Sequence, residues 1–396
     1  MSLDFQSIRE QVKLLGENAL DRAKQLQDKR AQALELLANN AQNVADLRQK
    51  VDTVVRNHEP SLRCALPVIE PLNASLPMPV IPDEMTVLAA DGSQITPDRH
   101  AEVNFAVINV GAIQLLRGSS EPPVTTITSE LLYDEQLYST TGTITDAKLA
   151  LMRDLNERTI LADLTKKAPP PVVTFTDGPM ELWIGVTGGS QDIAENAEVL
   201  EAYMQSLSRL DGLGAITAGY VDKPSANLVV RTLEVAMTPQ TELPEIKNLH
   251  PLRGVTDIAL YRDILESGER SPVFALQSQS AKSYKGPLAL YFFYLNVGQP
   301  GRPYLARVDI PAWVAEHSES LDILHAALID QCRVMGVRPY PYLLHRAHET
   351  AVVKLQEKEQ VTLMISQELR ERGLTVGERS SKQSAKQAAG RARYER

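Results

Sequence analysis

MTVLAADGS, residues 85–93, and VVTFTDGPM, residues 172–180, decide how this chain folds. Each is a short run of apolar and β-branched residues ending in Asp-Gly, the pattern of a buried strand bounded by turn residues. A carboxylate at the C-terminal end of a buried strand points into the crevice where α/β sheets bind ligands. The glycine after it permits a tight turn and a close approach of the backbone. Asp-Gly is also a common turn dipeptide, so either site alone reads first as an Asx turn. Its repetition on the two most apolar strands makes Asp91 and Asp177 candidate ligands.

Working outward, VNFAVINVGAIQLL (103–116) reads as a long strand paired with the first run, and residues 146–167 as a strong helix. A helix is expected over 192–211, a strand over 215–224 and a helix over 225–237. Residues 287–298 and 302–311 form a strand pair, followed by helices over 320–335 and 342–372. Alternating strands and helices around a meander indicate an α/β fold with a mixed sheet flanked by helices. Residues 1–60 read as an N-terminal helical segment of one or two long helices, with a seam of Phe5, Ile8, Val12, Leu15, Ala19 and Leu26. That seam serves either a core or a partner coil. Prolines at 60, 67, 71, 77, 79 and 82 mark 61–84 as a linker laid over a surface. One domain is expected over 85–372, and residues 377–396 read as a flexible basic tail.

The chain has 396 residues and a net charge of −9, which argues against a protein that coats DNA electrostatically. An acidic balance suits a site that holds divalent cations, because the metals then meet the phosphate. No apolar run approaches the ~20 residues of a membrane helix, and the N-terminus does not read as a signal peptide. The two cysteines, Cys64 and Cys332, form no CxxC, which fits a reducing cytoplasm. P-loop, GxGxxG, GxSxG and HExxH patterns are absent.

Two further clusters carry candidate chemistry. On the helix over 146–167, Glu157 falls within the apolar arc of Leu149, Met152, Ile160 and Leu164. A carboxylate on a buried face needs a partner, either a metal or a basic side chain. Asp163 falls on the same arc, so the helical wheel does not choose between them. In GVRPYPYLLHRAHETAVVKL (336–355), Pro341 stands where a helix begins, and His345 and His348 are placed to face the same way. Taken alone, each histidine reads first as a capping or core residue, with a ligand role as the alternative.

The ordered set of AADGS (89–93), the helix with Glu157, TDGP (176–179), GYVDKP (219–224) and RPYPYLLHRAH (338–348) resembles the NurA nucleases. The resemblance covers about residues 85–355. It implies an RNase H-like (Piwi-like) core, manganese-dependent cleavage of DNA, a homodimer, and docking to a hexameric HerA-like ATPase. Asp91 and Asp177 match the family's two DG aspartates, Glu157 its helical glutamate, His348 its AH histidine and Tyr340 its tyrosine eight residues earlier. DGP at 177–179 departs from the frequent DGS, which alters the turn more than the ligand. Asp222, with the adjacent Lys223, and Asp309 stand as second-tier candidates.

Phosphodiester hydrolysis needs an activated water and a stabilised leaving oxygen, which two divalent ions roughly 4 Å apart can supply. Manganese, or magnesium in its place, prefers carboxylate oxygens, and manganese also accepts imidazole. The expected roles are Asp91, Glu157 and Asp177 as metal ligands, His348 as ligand or proton-transfer group, and Tyr340 as a phosphate-positioning hydroxyl. The resemblance further implies 5′ to 3′ degradation at DNA ends, in break repair or genome defence, with single-strand endonuclease action beside it. Two other readings compete: a non-catalytic DNA-binding regulatory subunit of a motor ATPase, and a metal-dependent phosphohydrolase of small substrates.

Overall fold

In this computed structural model, which describes residues 3–98, 101–139, 142–182 and 190–374, the apolar runs fold as strands and the helical-period segments as helices. Three helices come first: α1 (Phe5–Glu17), α2 (Ala19–Asn39) and α3 (Val44–Asn57). Strands β1 (Cys64–Pro67), β2 (Met85–Ile95), β3 (Ala106–Arg117) and β4 (Val124–Leu132) follow, then a two-residue hairpin of β5 (Tyr138–Ser139) and β6 (Gly142–Thr143). Helix α4 (Asp146–Thr165), strand β7 (Val172–Asp177), helix α5 (Ser190–Gly212), strand β8 (Ile216–Val221) and helix α6 (Leu228–Met237) alternate. The remainder is α7 (Asp257–Tyr261), β9 (Phe274–Gln277), β10 (Leu290–Asn296), β11 (Leu305–Pro311), α8 (Ala312–Ala315), α9 (Ser318–Val334), α10 (Tyr342–Ala351) and α11 (Leu355–Glu371).

The chain forms two units, and neither is a contiguous segment. One comprises Met1–Ile81, Gly178–Glu181 and Ala218–Tyr340; the other comprises Pro82–Asp177, Leu182–Thr217 and the chain from Pro341 onward. The two units are interleaved along the chain.

In the unit that begins at Pro82, β2 pairs antiparallel with β3, β3 pairs antiparallel with β4, and β7 lies parallel to β2 on its other side. A parallel neighbour requires a crossover, and the segment that contains α4 supplies it. Val87, Leu88, Ala89 and Ala90 of β2, Val173 and Phe175 of β7, and Leu149 and Leu161 of α4 are all buried. Each such side chain contributes about 1.5–3 kcal/mol relative to exposure when large and fully covered. Three antiparallel strands, a helix, then a strand parallel to the first make an RNase H-like core.

The unit that begins at the N-terminus holds an antiparallel set in the order β1-β9-β10-β11-β8. Its main core gathers Ala33 and Leu37 of α2, Leu47 of α3, Leu228 and Leu233 of α6, and Phe274, Phe292 and Tyr294.

Several expectations change. The N-terminal segment is three helices, broken at Asn18 and at residues 40–43, and Phe5, Ile8, Val12, Leu15 and Leu26 are exposed. The proline-rich stretch contains β1, which among the described residues pairs with β9 alone and so tolerates Pro67 as an edge strand does. The single helix expected over 342–372 is broken at 352–354 into α10 and α11. β4 and β9 are strands that the sequence reading missed. The basic tail lies outside the described residues.

Gly111 of β3 shows what packing demands here. A Cβ at this position would stand 2.9 Å from the backbone nitrogen of Ala351 and from Thr350, so α10 approaches β3 only because the side chain is missing. Gly111→Ala is expected to destabilise the protein by about 1–3 kcal/mol, the usual cost of overpacking. Urea unfolding checks it, and an unchanged midpoint would show that α10 yields freely.

Candidate active site

Asp91 stands opposite Gly111 in the β2–β3 ladder, so the gap left by the glycine lies beside the Asp91 side chain. Helix α10 enters that gap. Its last carbonyl, on Ala351, would be an orphan acceptor at a helix end. It accepts instead from Ser93 Oγ at 2.5 Å and from Asn109 Nδ2 at 2.7 Å. Asn109 is held in turn by the Ser129 hydroxyl, which donates to Oδ1 at 2.6 Å. With the helix end pinned, His348 Nδ1 donates to Asp91 Oδ2 at 2.7 Å. An Nδ1–H spent on a carboxylate leaves Nε2 as the open nitrogen. The His348 side chain is 64% exposed and that of Asp91 16%, so the pair adds little stability. Its effect is to orient the imidazole.

The opposite approach is made by α4. Adjacent strand residues face opposite ways, and Gly92 opens toward α4 where Asp91 opens toward α10. A Cβ on Gly92 would lie 2.4 Å from Arg153 Cγ, 2.9 Å from Arg153 Cδ and 2.9 Å from Glu157 Oε1. This corrects the reading of AADGS as a turn: β2 runs through Asp91 and Gly92 to Ile95, and the glycine provides clearance. At the second Asp-Gly the chain does turn, with Gly178 at φ 87°. The two motifs look alike in sequence and do different work.

Glu157 is buried. Burial, then the nearby charges of Asp154 and Asp91, push its carboxyl well above the usual range, while Arg153 and Arg158 pull the other way. Asp154 is also raised by burial, against the pull of Arg153. Arg153 binds both acids, with Nη2 at 2.9 Å from Asp154 Oδ1 and Nε at 3.5 Å from Glu157 Oε1. Burial works against the Arg153 charge, but the carboxylates of Asp154, Glu157 and Asp91 more than offset it, and its pKa is raised. Asp163, left open beside Glu157 by the helical wheel, is exposed and paired with Arg209 at 2.5 Å.

Asp177 ends β7 and is exposed. The last parallel pair is Ala90 with Thr176, so Asp91 and Asp177 are the next residues on neighbouring strands, which run about 4.8 Å apart. Asp91, Asp177, Glu157 and His348 belong to one unit, with Asp91 and His348 on the α10 side of β2 and Glu157 on the α4 side. Tyr340, Asp222, Lys223 and Asp309 belong to the other. There Tyr340 meets the ring of Tyr220 edge-on at 5.5 Å. Asp222 accepts from the Tyr304 hydroxyl at 2.7 Å, and Lys223 lies over the Tyr304 ring. Buried Asp309 is occupied by Arg307 at 2.7 Å and by the backbone N–H of Met180 at 3.3 Å. His345 faces Glu349 at 3.6 Å rather than sharing the position of His348. Sequence reasoning missed Arg153, whose signal was its place four residues before Glu157, and the Ser93–Asn109–Ser129 support of α10.

The donors are three carboxylates and an imidazole, a set whose chemistry suits a hard divalent cation. Burial is the first cause that raises the carboxyls of Glu157 and Asp154, and Arg153 and Arg158 oppose it. Among the described residues, no three His, Cys, Asp or Glu side chains form a ready coordination cluster.

A carboxylate thus stands on the first strand, another at the end of the parallel strand beside it, and a glutamate on the intervening helix of an RNase H-like fold. The sequence matches the NurA domain over residues 85–353, more than half of its length, and the chain belongs to the NurA family of nucleases. The fold is similar to the crystal structure of the NurA nuclease from Sulfolobus solfataricus, with a TM-score of 0.52 at 10% identity, covering 92% of this chain and 97% of that one. Slighter likenesses are to the type 1 RNase H called LC9-RNase H1 (TM-score 0.23, 16% identity, 37% of this chain and 67% of that one) and to Drosophila Piwi (0.28, 12%, 69% and 30%). Among curated proteins, none matches the sequence significantly.

The Gly92–Arg153 contact makes a test of the site's packing. Gly92→Ala and Arg153→Ala should each destabilise the protein, and the double variant should be more stable than their sum by about 1 kcal/mol, because the second change removes the atoms the first would meet. Additive losses in urea unfolding would show that the two do not compete for space.

Proposed function

We propose that the chain is a metal-dependent deoxyribonuclease that hydrolyses phosphodiesters at Asp91, Asp177, Glu157 and His348. The observation that carries this reading is that Asp91 and Asp177 are the next residues, one on each strand, past the last parallel pair of β2 and β7. Asp91, Glu157 and Asp177 would hold manganese, with magnesium as a substitute and two ions as the expected number. Bound there, the cations would activate water and stabilise charge on the phosphate oxygens.

The chain's own side chains have separate tasks. Asp91 accepts the His348 Nδ1 proton and so directs Nε2 outward, where it can take a proton from water or return one to the leaving oxygen. The α4 acids stay compact because Arg153 stands between them. Tyr340, in the other unit, is the weaker candidate and would position a phosphate through its hydroxyl.

The finer reading follows the family: 5′ to 3′ degradation that leaves 3′ overhangs, with single-strand endonuclease action beside it, by a cytoplasmic homodimer fed by a HerA-like hexameric ATPase, in DNA-end processing for break repair or genome defence. A net charge of −9 and the lack of a P-loop agree with a nuclease supplied by a motor. No helix among the described residues is long and apolar enough to cross a membrane.

Digestion of end-labelled duplex in manganese tests the reading. The 5′ label should be released first, chelation should stop the reaction, and Asp91→Asn should lower the rate more than about a hundredfold, beyond the cost of losing an outer supporting residue. Full activity in Asp91→Asn sinks the site. A 5′ label that persists while the 3′ end shortens sinks the polarity, and wild-type protein that binds DNA without cutting it points to the regulatory-subunit reading.

A further inference from the structure

The unit that does not carry the carboxylates has two adjoining cavities, of about 300 and 390 Å³. Both are lined by Arg262, Pro303 and Tyr304. Arg302 lines the first, and Arg30 and Lys223 the second. Arg30 is engaged by Asp263 at 2.5 Å and by the carbonyl of Ala259 at 2.8 Å. Lys223, Arg262 and Arg302 have no carboxylate partner among the described residues, and all three are exposed. In a chain of net charge −9, Lys223, Arg262 and Arg302 bring three cations to one cleft and outnumber the acid beside them. That acid, Asp222, accepts from the Tyr304 hydroxyl at 2.7 Å and so fixes the ring at the cleft.

The backbone adds an independent observation. Lys223 has φ 42°, in the left-handed region, although it is not glycine and directly precedes Pro224. Both features disfavour that conformation. It places the ammonium 5.6 Å from the centre of the Tyr304 ring. Strain retained at a side chain that enters a cleft is a sign of function.

We propose that this two-lobed cleft binds the backbone of single-stranded DNA, with Arg262 and Arg302 on phosphates and Tyr304 as the surface for a base. Guanidinium forks match phosphate oxygens, and an aromatic ring beside a basic groove is the usual single-strand platform. An acidic peptide would meet the cations but has no use for the ring. The inference deepens the nuclease reading by supplying the local basic groove that the net charge withholds.

Binding of a fluorescein-labelled oligothymidylate, followed by anisotropy in EDTA, tests the cleft without catalysis. For R262Q/R302Q the dissociation constant should rise about tenfold and the salt slope fall by about 1.4, two contacts at ~0.7 each. Tyr304→Leu should weaken binding about five- to tenfold and leave the salt slope unchanged, as loss of stacking does. Both arginines are exposed, so an unaltered thermal midpoint is expected for the double variant. Hydrolysis of bis(p-nitrophenyl) phosphate in manganese, a diester too small to need the cleft, should be the same in R262Q/R302Q as in the wild type. Wild-type affinity and slope in R262Q/R302Q overturn the cleft and leave the nuclease reading standing. Equal displacement of the oligonucleotide by polyglutamate also overturns it, in favour of an acidic protein partner. Loss of binding in the variant, in a wild-type protein that cleaves neither DNA nor the diester, supports the cleft and overturns the nuclease reading alone.

Discussion

Two missing side chains, at Gly92 and Gly111, set how closely helices can approach strand β2 and its neighbour. At Gly92 a methyl group would overlap Arg153 and Glu157, and at Gly111 it would overlap the backbone of Ala351. Without the first clearance α4 could not bring Glu157 to the strand that carries Asp91. Without the second, α10 could not bring His348 there. Interiors pack at near-crystalline density, so a shift of even a methylene's size would move both groups. The site therefore depends on steric permission before it depends on any bond.

Charge is the second constraint. Three acids near one strand end oppose one another, and burial raises the cost for Glu157 and Asp154. Arg153 is the internal answer, bound to both acids at the face where Gly92 admits them. A divalent cation would act on the same imbalance with greater charge. Asp91 and His348 stand on the other side of the strand as an oriented pair, and the neighbouring strand adds Asp177. Strand alternation explains why these donors approach from more than one side.

Much of the architecture was legible in the sequence because its signals are local. Strands β2, β3, β7, β10 and β11 and helices α4 and α9 follow from apolar period and length. β4 escaped because Val124–Leu132 is largely exposed and polar, so no alternating apolar face announces it. The interleaved two-unit division was invisible for a different reason: it depends on contacts between residues far apart in the chain, and no local pattern records those. At the site, the Asp-Gly echo drew attention to two aspartates at neighbouring strand positions, although only the second motif turns the chain. The helical wheel could not choose between Glu157 and Asp163, because the choice depends on the strand that α4 packs against. The pairing of His348 with Asp91 spans 257 residues and could be reached only through family resemblance or structure.

The central claim is that these acids form a metal centre, and anomalous diffraction from a manganese-soaked crystal tests it most directly. The account predicts anomalous density within coordination distance of Asp91 and Asp177, with Glu157 or His348 completing the donor set. Manganese bound elsewhere on the chain, with Asp91 still held only by His348 and Glu157 only by Arg153, would contradict it.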